Sequence, residues 1–186
     1  MSSLPDLFNL IQHIDAQLTA ATAGASIKQH PTRVPEKLTK YILVQTGNLH
    51  LAIAIEDMSE VGPLPTITFL PNLPAWIQGI VNIRSEIISV IDLPGFLGMN
   101  DKEEGGGSRF VVLRHKKRKV GIRLDRIAGT VGRFQSDTEP LDAFAESRVN
   151  TALFHFGLLV EKQLYSILDV RRLLTAPRLV DYNRAR

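Results

Sequence analysis

Residues 79–93 of this chain read Gly-Ile-Val-Asn-Ile-Arg-Ser-Glu-Ile-Ile-Ser-Val-Ile-Asp-Leu, and the class of fold follows from their pattern. Apolar and polar side chains alternate in the first half, which places Val81 and Ile83 on one side and Asn82 and Arg84 on the other. β-branched residues dominate the second half, as they do in strands. The pattern predicts a β-hairpin that turns at the Arg-Ser pair, within a mainly β protein.

This hairpin is one part of an internal repeat. The apolar run at 87–93 is echoed 77 residues later by Leu-Tyr-Ser-Ile-Leu-Asp-Val, and Tyr41 and Ile53 have counterparts 69 residues later in Phe110 and Ile122. Two copies of a strand-rich unit imply two small β-barrels, with an insertion in the second copy around residues 137–152. The predicted strands span residues 41–46, 49–55, 57–61, 80–84, 86–93, 110–113, 120–124 and 164–170.

Helices are predicted at the N-terminus and after each copy of the apolar run. Apolar residues recur at helical spacing from Leu4 to Leu18, with Ser3 as a cap, and this amphipathic helix is expected to pack on its own protein. Asp92 and Asp169 are expected to cap short closing helices, and residues 75–79 are expected to form a helical turn. The expected organisation is a helix and linker at 1–36, a domain at 37–176 (halves of about 37–100 and 108–176) and a tail at 177–186.

Composition narrows the class of protein further. The chain has no cysteine, and its first basic residue is Lys28, so neither disulfides nor a secretory signal are expected. Four prolines interrupt residues 61–83, the longest stretch free of Asp, Glu, Lys and Arg, which argues against a membrane helix. The sequence therefore predicts a soluble, cytoplasmic protein.

No catalytic or metal site is evident. The five histidines are scattered without zinc-ligand spacing. The glycines at 105–107 lack the Lys-Ser/Thr of a phosphate-binding loop and precede a strand, not a helix. No pairing of nucleophile and base is visible, so neither an enzyme nor a cofactor is expected, and a small-ligand enzyme is a hypothesis without a motif.

Three stretches resemble the CheW-like domain family. They are residues 51–61, a strand that runs into acidic residues; residues 79–85, with an Asn-x-Arg turn; and residues 87–93, an apolar strand that ends in Asp and Leu. The resemblance covers roughly residues 37–176, and it implies a pair of intertwined, SH3-like five-stranded barrels. It also implies a non-enzymatic adaptor that binds the regulatory domain of a CheA-type histidine kinase and the cytoplasmic tip of a methyl-accepting chemoreceptor.

The resemblance implies a partner-binding site as well. Asn82 and Arg84, with Ile83 and Ser85 beside them, fall on the turn associated with receptor contact, and Glu60 falls on an acidic position implicated in binding. On the residues alone, Arg84 equally suits an internal hydrogen bond, and Glu60 an ordinary solvated carboxylate. The family has a glycine where this chain has Ser85, which costs about 1 kcal/mol if the turn needs a positive φ.

Trp76, Lys116 and Lys117 are candidates for secondary contacts. A tryptophan between Ala75 and Ile77 suits a core as well as a partner anchor. The two lysines lie in the basic run at 114–119, which holds five of the 22 Lys and Arg and accounts for the net charge of +3. This run suits a solvated loop, an acidic protein partner or, as the alternative function, nucleic acid.

The N-terminal amphipathic pattern and residues 92–98 look more like the pilus-type branch of the family than the flagellar branch. The sequence therefore predicts an adaptor in a chemotaxis-like pathway that controls type IV pilus twitching motility.

Overall fold

The computed structural model describes residues 36–99, 107–141 and 153–180, and all of them except Glu36 lie within the unit of the chain that begins at Lys37. The predicted N-terminal helix, most of the glycine joint and most of the insertion in the second copy lie outside these residues. The domain boundaries therefore stay predictions.

The described residues form eleven strands, three short α-helices and two single-turn 3₁₀ helices, Ile55–Asp57 and Gln135–Asp137. The strands are β1 (Thr39–Thr46), β2 (Leu49–Ala54), β3 (Met58–Pro63), β4 (Ile77–Ile83), β5 (Glu86–Ile91), β6 (Arg109–His115), β7 (Arg118–Leu124), β8 (Arg126–Arg133), β9 (Glu139–Pro140), β10 (Phe154–Val160) and β11 (Gln163–Leu168). The helices are α1 (Leu93–Leu97), α2 (Val170–Thr175) and α3 (Pro177–Val180).

The two halves of the sequence exchange hairpins. One sheet has the order β8-β1-β2-β11-β10-β9, and the other has the order β3-β6-β7-β5-β4. The β1–β2 hairpin of the first half thus pairs with strands of the second half, and the β6–β7 hairpin does the reverse. Each sheet joins the two halves along one parallel seam, β2 with β11 and β5 with β7. The predicted intertwining is confirmed, and neither sheet belongs to one half of the sequence.

The repeat holds at the level of individual residue pairs. Val90 lies opposite Gly121 in the β5–β7 seam. Their counterparts are Ile167, which comes 77 residues after Val90, and Ala52, which comes 69 residues before Gly121, and these two lie opposite each other in the β2–β11 seam. The edge strands β3 and β8 also match. The pairing of β3 with β6 is bulged between Met58 and Glu60, and the pairing of β8 with β1 is bulged at the equivalent position, between Ile127 and Gly129. Each position in one sheet therefore has a counterpart against which it can be compared.

Both faces of each sheet are covered in the middle. One large core cluster takes residues from both sheets, among them Leu51, Ile122 and Phe154. Two smaller clusters belong to one sheet each, around Phe110 in the β3–β4 sheet and around Leu158 in the other. Strands buried on both faces need apolar residues at consecutive positions, which explains runs such as residues 110–113.

Carboxylates cap the N-termini of helices α1 and α2. The side chain of Asp92 accepts a hydrogen bond from the Gly95 amide (3.2 Å), and that of Asp169 accepts one from the Arg172 amide (2.8 Å). Both predicted caps are confirmed. Burial raises the pKa of Asp92 above the usual value of a carboxyl, against the opposing effect of the hydrogen bond from Gly95. Helix α3 continues the fold beyond residue 176, since Arg178 donates to the carbonyl of Phe96 (2.6 Å).

One predicted element is wrong. Residues 75–79 were expected to form a helical turn, but β4 begins at Ile77, which lies opposite Ile91 and is buried. A bulge between Ile77 and Gly79 interrupts the alternation from which a strand could have been recognised. Gly79 has a φ of 141°, and a Cβ there would overlap the Thr68 carbonyl, so the bulge depends on this glycine.

Candidate partner-binding site

The turn between β4 and β5 presents the residues that the sequence singles out. Ile83 pairs with Glu86, which leaves Arg84 and Ser85 as a two-residue loop with φ values of 51° and 68°. Positive φ at both positions defines a type I′ turn, in which asparagine and glycine are the favoured residues. Both Arg84 and Ser85 therefore have a left-handed backbone conformation, which is unfavourable for residues that carry a Cβ.

Strand alternation orients the neighbours of the turn as predicted. Val81 is buried in the core of its sheet, and Ile83 is half-buried against the same cluster. Asn82 is exposed, and the Arg84 side chain is 82% exposed. The turn therefore offers an amide and a guanidinium to solvent, the latter with five donors in a planar fork.

Glu60 is the partner of Arg84 within the chain. Its Oε2 lies 3.6 Å from Arg84 Nε, and its side chain is 35% exposed. β3 and β4 are the two outer strands of their sheet, so this ion pair joins opposite edges and shows that the sheet curls back on itself. The structure thus brings Glu60 together with the turn, although 23 residues separate them in the sequence.

Among the described residues of the second barrel, the matching positions hold no such pair. The positions that match Glu60 and Arg84 there are Gly129 and Glu161, which cannot form one. The matching turn, Glu161-Lys162, nevertheless has φ values of 49° and 68°. The turn conformation is therefore a property of the fold, whereas the ion pair is particular to one barrel. An exposed pair of this kind contributes only about 0–1 kcal/mol to stability, so the fold does not depend on it.

Trp76 lies in the core. It is 6% exposed, and its ring packs edge-on against Phe96 with the ring centroids 5.0 Å apart. The Arg178 guanidinium lies over both rings, at 5.6 and 5.4 Å from their centroids. This burial favours the core interpretation of Trp76, whose side chain ties α3 to the first half of the sequence.

The basic run does not form a uniform cationic face. Lys116 and Lys117 make the tip of the β6–β7 hairpin and are exposed. Arg118 donates to the Leu174 carbonyl (2.9 Å), and Lys119 forms an ion pair with Glu86. Two of the five cations are thus engaged within the protein, which weakens the case for a surface that binds phosphates.

Sequence reasoning missed the apolar residue beside the turn. Ile87 is 72% exposed although it begins the apolar run of β5. Its register could have revealed this, since Ile87 lies opposite Asn82, whose side chain was expected to face solvent. An exposed isoleucine next to Arg84 is a candidate for partner contact.

Comparison with known proteins identifies the family of this chain. The family model for the CheW-like domain matches residues 40–178. The chain belongs to the CheW-like domain family.

Individual relatives agree with this assignment. The chain is 31% identical to a chemotaxis protein CheW of Treponema pallidum, over 80% of this chain and 89% of that protein. It is 25% identical to the protein PilI of Pseudomonas aeruginosa, over 83% and 86% of the two chains. A crystal structure of the scaffolding protein TtCheW from Thermoanaerobacter tengcongensis is similar with a TM-score of 0.63 at 23% identity, covering 72% of this chain and 90% of that one. The predicted fold of two SH3-like barrels is confirmed.

Other classes of site are not visible in the described residues. Within residues 36–99, 107–141 and 153–180, no group of three or more His, Asp or Glu side chains could hold a metal ion. The same residues contain no helix that is long and apolar enough to cross a membrane.

The strain at Ser85 yields a prediction about stability. Replacing Ser85 with glycine removes the cost of a left-handed conformation, so Ser85→Gly should stabilise the protein by about 1 kcal/mol, or raise Tm by about 2–4 °C. Ser89→Gly is the matched control, because Ser89 is an exposed residue in the extended β5 strand, where glycine should instead cost roughly 0.5–1 kcal/mol. Thermal unfolding of both variants checks the prediction, and a loss of stability in Ser85→Gly would contradict it.

Proposed function

We propose that this protein is a non-enzymatic adaptor that couples a chemoreceptor to a CheA-type histidine kinase. The observation that supports this most is the asymmetry between the two barrels. The repeat preserves the turn conformation in both. One barrel has an exposed guanidinium beside a carboxylate of the opposite edge strand, whereas the matching described positions of the other hold Gly129 and Glu161. The fold does not need the Arg84 guanidinium or the Glu60 carboxylate at these positions. Polar groups of this kind on a strained turn are typical of a binding surface.

The receptor contact is assigned to this turn. Asn82, Arg84 and Glu60 are the polar groups, and Ile83 and Ser85 fix the backbone from which they project. Glu60 orients the guanidinium from one side and leaves most of its donors free. The tip of a receptor could supply carboxylates or backbone carbonyls to these donors.

The relatives support the partners and the output. The named relatives include a chemotaxis protein, a scaffolding protein and the pilus protein PilI. We assign the adaptor to the cytoplasm, at receptor arrays on the inner face of the membrane, and its output to type IV pilus twitching motility. Restored twitching in a strain that lacks the gene would support that output, and restored swimming alone would contradict it.

Titration calorimetry against the regulatory domain of the CheA-type kinase from the same cell tests the adaptor class. We expect saturable binding near one-to-one with a Kd on the order of 1 µM. Because the turn is assigned to the receptor, Arg84→Glu should bind the kinase domain within about twofold of the native protein. Absence of heat, together with absence of co-elution on a sizing column, would contradict the proposal.

A further inference from the structure

A groove lies beside the basic hairpin, on the same sheet as the candidate site. Its volume is about 640 Å³, and its walls come from β5, β7 and the helices α2 and α3. Ile87, Leu179 and Val180 supply its apolar surface, and Ile87 and Val180 are among the exposed large hydrophobic residues of the protein. The charged residues of its lining are Glu86, Lys117, Arg118 and Lys119. The groove thus has an apolar surface and an excess of positive charge.

The second barrel shows that the fold does not require this groove. Leu49 stands where the groove has Arg118, and Leu164 stands where it has Ile87. Leu49 is buried and Leu164 packs against the large core cluster, so the corresponding place is filled with apolar side chains. His50 packs edge-on against Tyr165 at the same place (centroids 5.7 Å apart), where the groove has Lys119 and Ile88. The second barrel thus has apolar and aromatic side chains where the groove has Arg118, Lys119 and the exposed Ile87.

The charged residues at the rim of the groove indicate which charge a bound molecule would carry. Arg118 is held by the Leu174 carbonyl and keeps the end of α2 in place, and Lys119 is paired with Glu86. Lys117 is exposed at the hairpin tip, and the described residues form no ion pair with it. Because Lys119 is paired with Glu86, Lys117 and Arg118 supply the excess positive charge, which favours an anionic occupant. The exposed isoleucine and valine favour an apolar side chain within it.

Two other occupants fit less well. A second copy of this chain, docked through the same groove, would place cations against cations. A single-stranded nucleic acid needs aromatic side chains for stacking, and none of the residues that line the groove is aromatic.

We propose that this groove binds an acidic segment of a protein partner, with an apolar side chain of the segment on Ile87 and Val180 and a carboxylate at Lys117. The groove borders the turn, because Glu86 follows Ser85, but its lining includes neither Glu60 nor Arg84.

The test uses two synthetic probes. One is an acetylated pentapeptide amide with a central leucine between two pairs of glutamates, and the other has glutamines in place of the glutamates. The readout is the methyl NMR signals of Ile87 and Val180, titrated with each peptide. We expect saturable shifts with a Kd on the order of 1 mM for the acidic peptide and at least about tenfold weaker binding of the glutamine peptide.

Variants distinguish specific binding of the acidic peptide in the groove from non-specific electrostatic attraction to the protein. Lys117→Glu and Ile87→Ser should each weaken binding of the acidic peptide at least about fivefold. Lys162→Glu makes the same charge change on an exposed hairpin turn of the other barrel, at the counterpart of Ser85, and should alter the affinity less than about twofold. Lys117 lies on an exposed turn, so this variant tests the site even if Ile87→Ser unfolds.

Several results would overturn the proposal. They are equal binding of the two peptides, equal effects of Lys117→Glu and Lys162→Glu, displacement of the acidic peptide by oligothymidylate at lower concentration, and methyl shifts that grow with protein concentration alone. Neither a kinase nor a receptor enters the experiment, so its failure would leave the proposed function standing.

Discussion

Arg84→Glu is expected to reduce binding to the receptor tip at least about tenfold, a loss of about 1.4 kcal/mol or more, while the protein stays folded. The turn projects this guanidinium into solvent, and a partner carboxylate that meets it would meet a negative charge in the variant. Because the pair with Glu60 is exposed, Tm should change by no more than about 2 °C. Calorimetry or surface plasmon resonance with a receptor cytoplasmic fragment measures the affinity.

Two controls show whether the effect belongs to the turn. Lys37 and Glu56 form another exposed ion pair, at 2.8 Å, so Lys37→Glu reverses a comparable pair away from the turn and should leave receptor affinity within about twofold. The exchange Glu60→Arg with Arg84→Glu restores the internal pair but reverses the charges shown to a partner. We expect this double variant to bind as poorly as Arg84→Glu. Full recovery would show that the pair only shapes the turn.

Gly121→Ala is expected to destabilise the protein by roughly 2 kcal/mol, which corresponds to a fall in Tm of about 4–8 °C. A Cβ at this position would lie 2.5 Å from Cζ of Phe110, well inside van der Waals contact. Phe110 is almost fully buried, and Gly121 lies in the parallel seam opposite Val90, so neither the ring nor the strand can move away cheaply. Chemical denaturation measures the change.

The matched variant is Gly62→Ala. A Cβ at Gly62 meets no atom within 4 Å, and the residue lies in the edge strand β3, so this change should alter stability by less than about 0.5 kcal/mol. A second test combines Gly121→Ala with Phe110→Leu. The smaller side chain makes room for the new methyl group, so the double variant should lose less stability than the sum of the two single changes. A fully additive result would contradict the proposed overlap.

Local patterns in the sequence predict much of this fold. Alternation at residues 79–83 predicts which side chains are buried, and the echoes of Tyr41 and of residues 87–93 predict the two-fold repeat. The capping roles of Asp92 and Asp169 follow from their position after matching strands. These features depend on neighbours in the chain or on spacing, which the sequence displays directly.

Features that depend on distant segments are not visible in this way. The parallel seams join β2 with β11 and β5 with β7, and no local pattern specifies those partners. The Glu60–Arg84 pair exists because the five-stranded sheet curls until its edges meet, so its carboxylate could be suspected only from resemblance to a family. Ser85 was expected to be strained if its φ were positive, and the structure adds that Arg84 shares the strain.

The exchange of hairpins has a consequence for function. Since each barrel takes strands from both halves, the turn at residues 84–85 and the basic hairpin at 116–117 lie on one sheet although they come from different copies of the repeat. The proposed receptor-binding turn and the proposed docking groove are thereby carried by one barrel. The other barrel has Glu161 in the matching turn and Leu49 and Leu164 at the positions that match Arg118 and Ile87.

A bridging experiment asks whether this protein connects receptor and kinase. Receptor cytoplasmic fragments are immobilised in membrane mimetics, the CheA-type kinase is added, and retained kinase is measured with and without this protein. We predict that kinase retention requires this protein, saturates with it, and is lost with Arg84→Glu but not with Lys37→Glu. Kinase retention that is the same with and without the native protein would contradict the adaptor function.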